Sequence, residues 1–534
     1  MNLSFSFAEF GQSALTQNWA WFTCVCLRSQ MIAKIRGGWS ACLRAFLRIL
    51  MLSADGLATG GVPLHIGGTH TMLYARVANL LSDGDGLRSA LDWRGASSTK
   101  PCFRHCNIFA KDSDLAHRSP GFEDITCSDP SKFKTWTGKD VWTAVDVLQG
   151  AHARVASGNM RMEQVNKLGQ MYGLNYNGDG VLADVELRAV LDPVHAFTYD
   201  WVHSFLSDGL FSCEAFLMIK ACRTLGIRQS HVCEYLKDSK WQFPLAHTSK
   251  SKSLYRVFDV YRSSASAEAD RLKCAASELL GLYGLLRHFV EVHVGRRDEI
   301  AAQREVFDQA CTMLDLIMSA KRGEVPVSAV ATKLRSVTST HLALHIRCYG
   351  TDRVKPKHHW AADIPDQLER DQLVLDAFVV ERMHLDVKSV AEHCRNTTRF
   401  ERSVLSGVLN KHFRALTDHA SFAGLRGRVG QLPGEPHLFV GDAMEFDGQK
   451  TSACDLVFGG GGDRVVGQVV ACIADVDSMT LAIVVDLLQF VGPLSDHSST
   501  WRLTDTRAVW AASGIELPLA WYIGVDANVV VVYM

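Results

Sequence analysis

No sign of charge dominates this chain: 56 Lys+Arg stand against 57 Asp+Glu in 534 residues, a formal net charge of −1. A histone-like polycation is therefore excluded, and any nucleic-acid contact has to come from local basic surfaces. Proline is scarce, at 13, and the 47% hydrophobic content excludes a disordered or collagen-like chain. No stretch of about 18 apolar residues runs free of charge, so no membrane span is expected. WAWFTCVCL and CLRAFLRILML are broken by Arg28, Arg44 and Arg48, and Glu9 sits where a basic leader would be, so neither reads as a signal peptide. The 15 cysteines are odd in number and too dispersed for a disulfide scaffold, which fits a reduced, intracellular setting. There is no G-x-S-x-G elbow. GGGGD at 459–463 lacks the Lys-Ser/Thr of a phosphate loop and reads as a hairpin turn.

The length predicts about three or four domains. Residues 10–54 contain no acid but carry Arg28, Lys34, Arg36, Arg44 and Arg48. A helix whose arginines snorkel away from an apolar stripe accounts for this, and a DNA- or partner-facing surface is the alternative. TMLYARVANLLSDGDG reads as a buried strand or short helix that delivers Asp83 at its tip. Residues 87–200 are loop-rich. From 201 to 350 apolar residues recur at helical spacing, and they do so again in DQLERDQLVLDAFVVERMHLDVKSVAEHC. GLRGRVGQLPGEP reads as a connector. The Val/Ile-rich runs that follow, cut by Gly, Asp and Ser, read as a separate, mainly β module.

Three sets of residues carry chemistry. Asn175, Asn177, Asp179 and Glu186 follow the spacing of a calcium loop, with Gly180 at its sixth place. Asn stands first where Asp is usual, and turn chemistry alone produces the same letters. Cys102, His105 and Cys106, together with His358, His359 and Asp363 in KPKHHWAADI, offer ligands for a structural metal. Hydrogen-bonded residues without metal are the alternative. Finally, Asp83, Asp200 and Glu381 sit where rigid elements would hold them, and two-metal phosphoryl transfer needs carboxylates so held. A helix cap or a surface ion pair is the plain alternative for each.

Four segments resemble CACTA-type cut-and-paste DNA transposases. FVVERMHLDVKSVAEHCRNTTRFERSVLSG (378–407) is similar to the family's Glu-Arg signature, here carried by Glu381, Arg382, Lys388, Arg395, Asn396, Glu401 and Ser403. TYDWVHSFLSDGLF resembles its D-x-x-H segment through Asp200 and His203. LLSDGDGLRSALDWRGASSTKPCFRHCN resembles the stretch in which a catalytic Asp precedes a cysteine cluster, here Asp83 with Cys102 and Cys106. KPKHHWAADI is similar to a histidine motif of the family's insertion, with Asp363 in place of a further His.

The resemblance implies an α/β fold: a partial RNase H-like core over 1–86, a mainly helical insertion with Cys/His motifs over 87–375, and a core-closing helix segment over 376–420. A linker at 421–434 and a β-rich C-terminal module at 435–534 would follow. Implied too are Asp83 and Glu381 as catalytic acids, with Asp200, His203 and Arg382 in support. The implied cofactors are Mg²⁺ or Mn²⁺, with Zn²⁺ on Cys102, Cys106, His358 and His359. The implied partners are transposon ends, target DNA and a second copy of the chain, in the nucleus and without a membrane. From Asp83 to Glu381 is 381 − 83 = 298 positions, room for the insertion. The family's first acid lies upstream of the Asp83 segment. The chain is thus expected to begin inside the core, lacking that acid and any N-terminal DNA-binding domain, with cleavage impaired. Two other readings stand beside this one. One is a non-catalytic DNA- or protein-binding remnant that uses Arg28–Arg48 and Lys250–Arg256, and the other is a calcium-responsive protein.

Overall fold

In the computed structural model, the structure describes residues 2–116, 120–244, 253–417, 423–446, 449–459, 465–517, 520–524 and 528–533. GGGGD beyond Gly459 and the Lys250 end of the second basic segment lie outside the described residues. The chain is mixed α/β, with a curled sheet at its C-terminal end. It divides into two compact units: Met1–Phe205 with Gly323–Leu409, and Leu206–Arg322 with Asn410–Met534. No helix among the described residues is long and apolar enough to cross a membrane.

In the first unit, strand β1 (Leu80–Ser82) pairs in parallel with strand β2 (Phe197–Tyr199), Ser82 opposite Tyr199. This pair joins a strand of the expected core region (1–86) to one from the expected helical insertion (87–375). A parallel pair needs a long crossover, and residues 83–196 supply it. Asp83 ends β1 by capping the helix α1 (Gly84–Ala90): its Oδ1 accepts the Gly86 N–H at 2.6 Å. Gly86 is required there, because a Cβ would collide with the Ser82 hydroxyl.

An aromatic core lies along this pair. Phe103 stacks on Phe197 at 4.6 Å, Tyr199 on Trp360 at 4.9 Å, and Trp93 meets Phe197 edge-on. Such pairs add about 0.5–1.5 kcal/mol each beyond the burial of their surface. Trp360 belongs to helix α2 (Pro356–Asp371), which opens with a proline whose missing N–H costs nothing there. Helix α3 (Phe378–His393) follows.

The acid-free N-terminal stretch finds its carboxylates elsewhere in the chain. The helix Gly38–Leu47 buries Leu43 and Leu47. Its arginines turn outward: Arg44 and Arg48 both bind Asp184, at 2.7 and 2.8 Å, while Arg36 pairs with Asp179 and Arg28 with Glu401. Only Arg44 and Arg48 belong to this helix and its C-cap. Arg28 stands at the N-cap of the separate short helix Ser29–Ile32 and Arg36 lies in the turn between, so the stretch is not the single helix expected.

The second unit combines helices such as Leu210–Cys222, Ala276–His288 and Ala301–Lys321 with a nine-stranded antiparallel sheet. The long strands Thr480–Ser495 and Ser498–Ala511 pair through three register shifts, which bend the sheet. Two features differ from the sequence expectation. Residues 423–432, inside the expected linker, form a strand on Glu435–Phe446 through a turn at Gly434 (φ +87°), because the Gly/Pro letters serve one tight turn. The β region is also not a unit of its own. Gln242 and Trp521 exchange two backbone hydrogen bonds at 2.8 and 3.0 Å, and His497 binds Glu291 at 2.7 Å.

Asp184 is only 2% exposed, and its carboxyl is held below the ordinary carboxylate range. Burial alone would raise it, but the hydrogen bonds from Arg48 and Arg44 overcome that. Its stabilisation is therefore present above the unfolded Asp pKa and is lost as pH falls through the folded value. Asp184→Asn is expected to cost about 2–3 kcal/mol at pH 7, below the range for fully buried pairs because both arginines reach water. Denaturant titrations at pH 7 and pH 3 check this; the difference between the two proteins should shrink at the lower pH.

Candidate functional site

Four side chains converge beneath the strand pair. The turn from Cys102 to His105 brings the His105 N–H to Cys102 Sγ at 3.3 Å and its Nδ1 to the same sulfur at 3.5 Å. From α2, His359 Nε2 lies 3.2 Å from His105 Nδ1, and Asp363 Oδ2 lies 3.8 Å from Cys102 Sγ. All four are buried, and one donor atom from each lies within 4.8 Å of every other. A tetrahedral zinc site with ordinary bond lengths has edges of roughly 3.3–3.6 Å. The set is thus shaped to hold a metal ion.

Two buried cationic side chains, Lys100 and Arg104, lie beside the set. Lys100, 1% exposed, donates to the carbonyls of Cys102 (3.3 Å) and His105 (2.6 Å), and burial pulls its pKa down to about 8. Arg104 approaches Asp363 at 3.6 Å. Burial lowers the pKa of His359 and keeps the imidazole neutral, the form that binds metals. The Tyr199 hydroxyl donates to Cys102 Sγ at 3.5 Å, and burial holds that phenol far above its usual pKa, so it stays a donor. A buried carboxylate such as Asp363, 0% exposed, is costly unless opposite charge compensates it. Arg104 supplies part of that compensation, and a cation held among these four donors would add to it.

Of the six candidate ligands, Cys102, His105, His359 and Asp363 are in the set, while Cys106 and His358, two of the four assigned to zinc by the resemblance, are placed elsewhere. Neighbours on a helix project about 100° apart, so His358 leaves the face of His359. It accepts the Lys355 N–H at 3.1 Å and lies beside His345, with ring centres 4.6 Å apart. Cys106 is half-buried, its backbone N–H bonded to Lys134 and its thiol pKa raised by burial. His105 and Asp363 take the two places. The i, i+4 spacing from His359 to Asp363 is the signal that points to this pairing.

Among the described residues, Asp83, Asp200 and Glu381 do not form a set whose donor atoms all lie within 4.8 Å of one another. Because Ser82 and Tyr199 are register partners, Asp83 and Asp200 leave the same ends of β1 and β2. Asp200 is buried and fully engaged: Oδ1 accepts the Ala377 N–H at 3.0 Å, ahead of α3, and Oδ2 binds the backbone N–H and Nδ1 of His203 at 3.0 and 2.5 Å. His203 Nε2 faces Glu381 Oε1 at 3.8 Å, and Glu381, in the first turn of α3, is 54% exposed. The Glu381 carboxyl is pushed up, by burial first and by the charges of Asp200, Asp376 and Asp83, against the pull of His203. For His203 burial works downward, but the hydrogen bond and charge of Asp200, with Asp83 behind it, win and raise its pKa. Arg382 turns away, donating to Asn18 at 3.2 Å and to the Thr16 carbonyl, and so fastens the N-terminal segment.

The calcium-loop residues do other work. Asp179 and Glu186 pair with Arg36 and Arg48, Asn177 bridges the Gly37 carbonyl and Asp92, and the Asn175 N–H binds the Asp92 carbonyl. Their carboxylates are directed at arginines and do not converge.

Compared with protein-family models, with curated proteins and with solved structures, the chain gives no match.

The raised pKa of His203 fixes a sign. Its bond to Asp200 stabilises the fold fully below the unfolded His pKa, and that stabilisation is lost as pH rises through the higher folded value. His203→Gln should therefore be less stable than the wild-type chain at pH 5.5, with the gap closing as pH rises through the raised folded pKa. Urea unfolding across that range is the measurement.

Proposed function

We propose that the chain is a transposase-like protein for metal-dependent cleavage and transfer of DNA strands, acting in the nucleus on transposon ends and target DNA. The observation that supports this reading is the placement of Asp83 and Asp200 at the matched ends of two parallel strands, with the exposed Glu381 3.8 Å from the His203 that Asp200 holds. Asp83 and Glu381 would hold Mg²⁺ or Mn²⁺, hard cations that take carboxylate oxygens. The cation supplies Lewis-acid stabilisation of the charge that develops on the attacking and leaving oxygens.

Asp200 has both oxygens committed, so its task is to orient His203 and to start α3 in place. The imidazolium that results stands beside Glu381 and limits repulsion among the acids. The resemblance to CACTA-type transposases supports the same assignment. For the binding-remnant reading, Arg28, Arg36, Arg44 and Arg48 are each paired with a carboxylate of this chain, which offsets part of their charge. For the set Cys102, His105, His359 and Asp363 we assign zinc, since one thiolate, two imidazoles and a carboxylate suit a borderline cation at a closed structural site.

Mn²⁺ binding, measured by titration of the full chain, tests the acid site. Asp83→Asn and Glu381→Gln should each weaken it by about 10- to 100-fold, and His203→Gln less. Nicking of DNA that carries the terminal repeats should fall in step. Mn²⁺ affinity unchanged in both acid variants would overturn the assignment.

A further inference from the structure

We propose that Tyr199 is the positioning residue through which a metal at Cys102, His105, His359 and Asp363 fixes the strand end that presents Asp200 and His203. The inference rests on the zinc reading of that set and goes beyond it, giving the site a consequence for the neighbouring acids.

Tyr199 is held by both elements that bring ligands. On the loop side its hydroxyl donates to Cys102 Sγ at 3.5 Å and accepts the Phe103 N–H at 3.1 Å. On the helix side its ring stacks on Trp360, the neighbour of His359. Gln367 then grips its backbone from both directions: Oε1 accepts the Tyr199 N–H at 2.8 Å, and Nε2 donates to the Tyr199 carbonyl at 2.9 Å. His359, Asp363 and Gln367 are spaced i, i+4, i+8 and share one face of α2. A single helix face thus supplies two metal ligands and the clamp on the strand.

Trp360 completes the link. Its indole N–H donates to the Pro101 carbonyl at 3.0 Å, tying α2 to the loop of Cys102, and its ring lies under Gly84, the residue after Asp83. One peptide bond beyond Tyr199, Asp200 holds His203 and the residue ahead of α3. Closing four ligands around a cation draws the loop and α2 together, and Tyr199 lies between them. The strand end is therefore set by how closely the two ligand-bearing elements approach.

The test uses the full chain, zinc, and cobalt as a spectroscopic substitute. Tyr199→Phe keeps the stacked ring and removes the donor to sulfur. Its zinc affinity, measured by competition with a chromophoric chelator, should fall by about 10- to 100-fold, and the thiolate-to-cobalt charge-transfer band should shift. Gln367→Met leaves every ligand in place. It should bind zinc as the wild-type chain does, yet lose the protection from hydrogen exchange that zinc confers on residues 200–205. The inference is overturned by a Tyr199→Phe protein with unchanged zinc affinity and an unshifted band. It is equally overturned by a wild-type chain that binds zinc with no change in exchange at 200–205. A wild-type chain that takes up no zinc removes the metal reading itself. Should Tyr199→Phe not fold, the wild-type and Gln367→Met exchange data decide alone.

Discussion

The register of β1 against β2 is the constraint on which the first unit's chemistry depends. Three residues on each strand, Leu80–Ser82 and Phe197–Tyr199, pair in parallel. That alignment alone puts Asp83 and Asp200, 117 positions apart (200 − 83), at one sheet end. A slip of one residue would turn Tyr199 to the opposite face and take it from Cys102 and Trp360. So short a pair cannot hold itself together. Its register comes from the aromatic stacking on either side and from the two hydrogen bonds of Gln367 to the Tyr199 backbone.

Buried charge is the second theme. Lys100, Arg104 and Asp363 all lie out of water within one region, and each alone would carry a heavy desolvation cost. Beside them burial lowers the pKa of His359, leaving that imidazole neutral. The acid site works the other way. There the negative charges outnumber the positive, and His203 takes on extra proton affinity because of it. The first region offers four closely spaced buried donors that could hold a cation, whereas in the second Glu381 is exposed.

Much of this was legible in the letters. The period of AFVVERMHLDVK gives a helix with Glu381 near its start, and the acid at the end of the apolar run is an N-cap. That run splits, however, Thr71–Leu73 joining an exposed hairpin and only Leu80–Ser82 forming the half-buried strand before Asp83. The metal ligands were half legible. C-x-x-H and H-x-x-x-D are both present, but choosing His359 over its neighbour His358 requires knowing which face of α2 meets the loop, and that is a tertiary fact. The long acid-free stretch illustrates the same limit. Nothing near Arg44 or Arg48 in sequence names Asp184, 136 residues beyond Arg48, as their partner. The 423–432 strand was hidden because its glycines read as a linker, whereas its pairing is fixed by the strand that follows.

The claim that the Cys102 set is a closed metal site organising the strand end is tested most directly by zinc K-edge X-ray absorption on the purified full chain. The account predicts one zinc per chain, with one sulfur at about 2.3 Å and three nitrogen or oxygen ligands at about 2.0–2.1 Å. A chain that carries no zinc, or a zinc whose shell contains no sulfur, would contradict it.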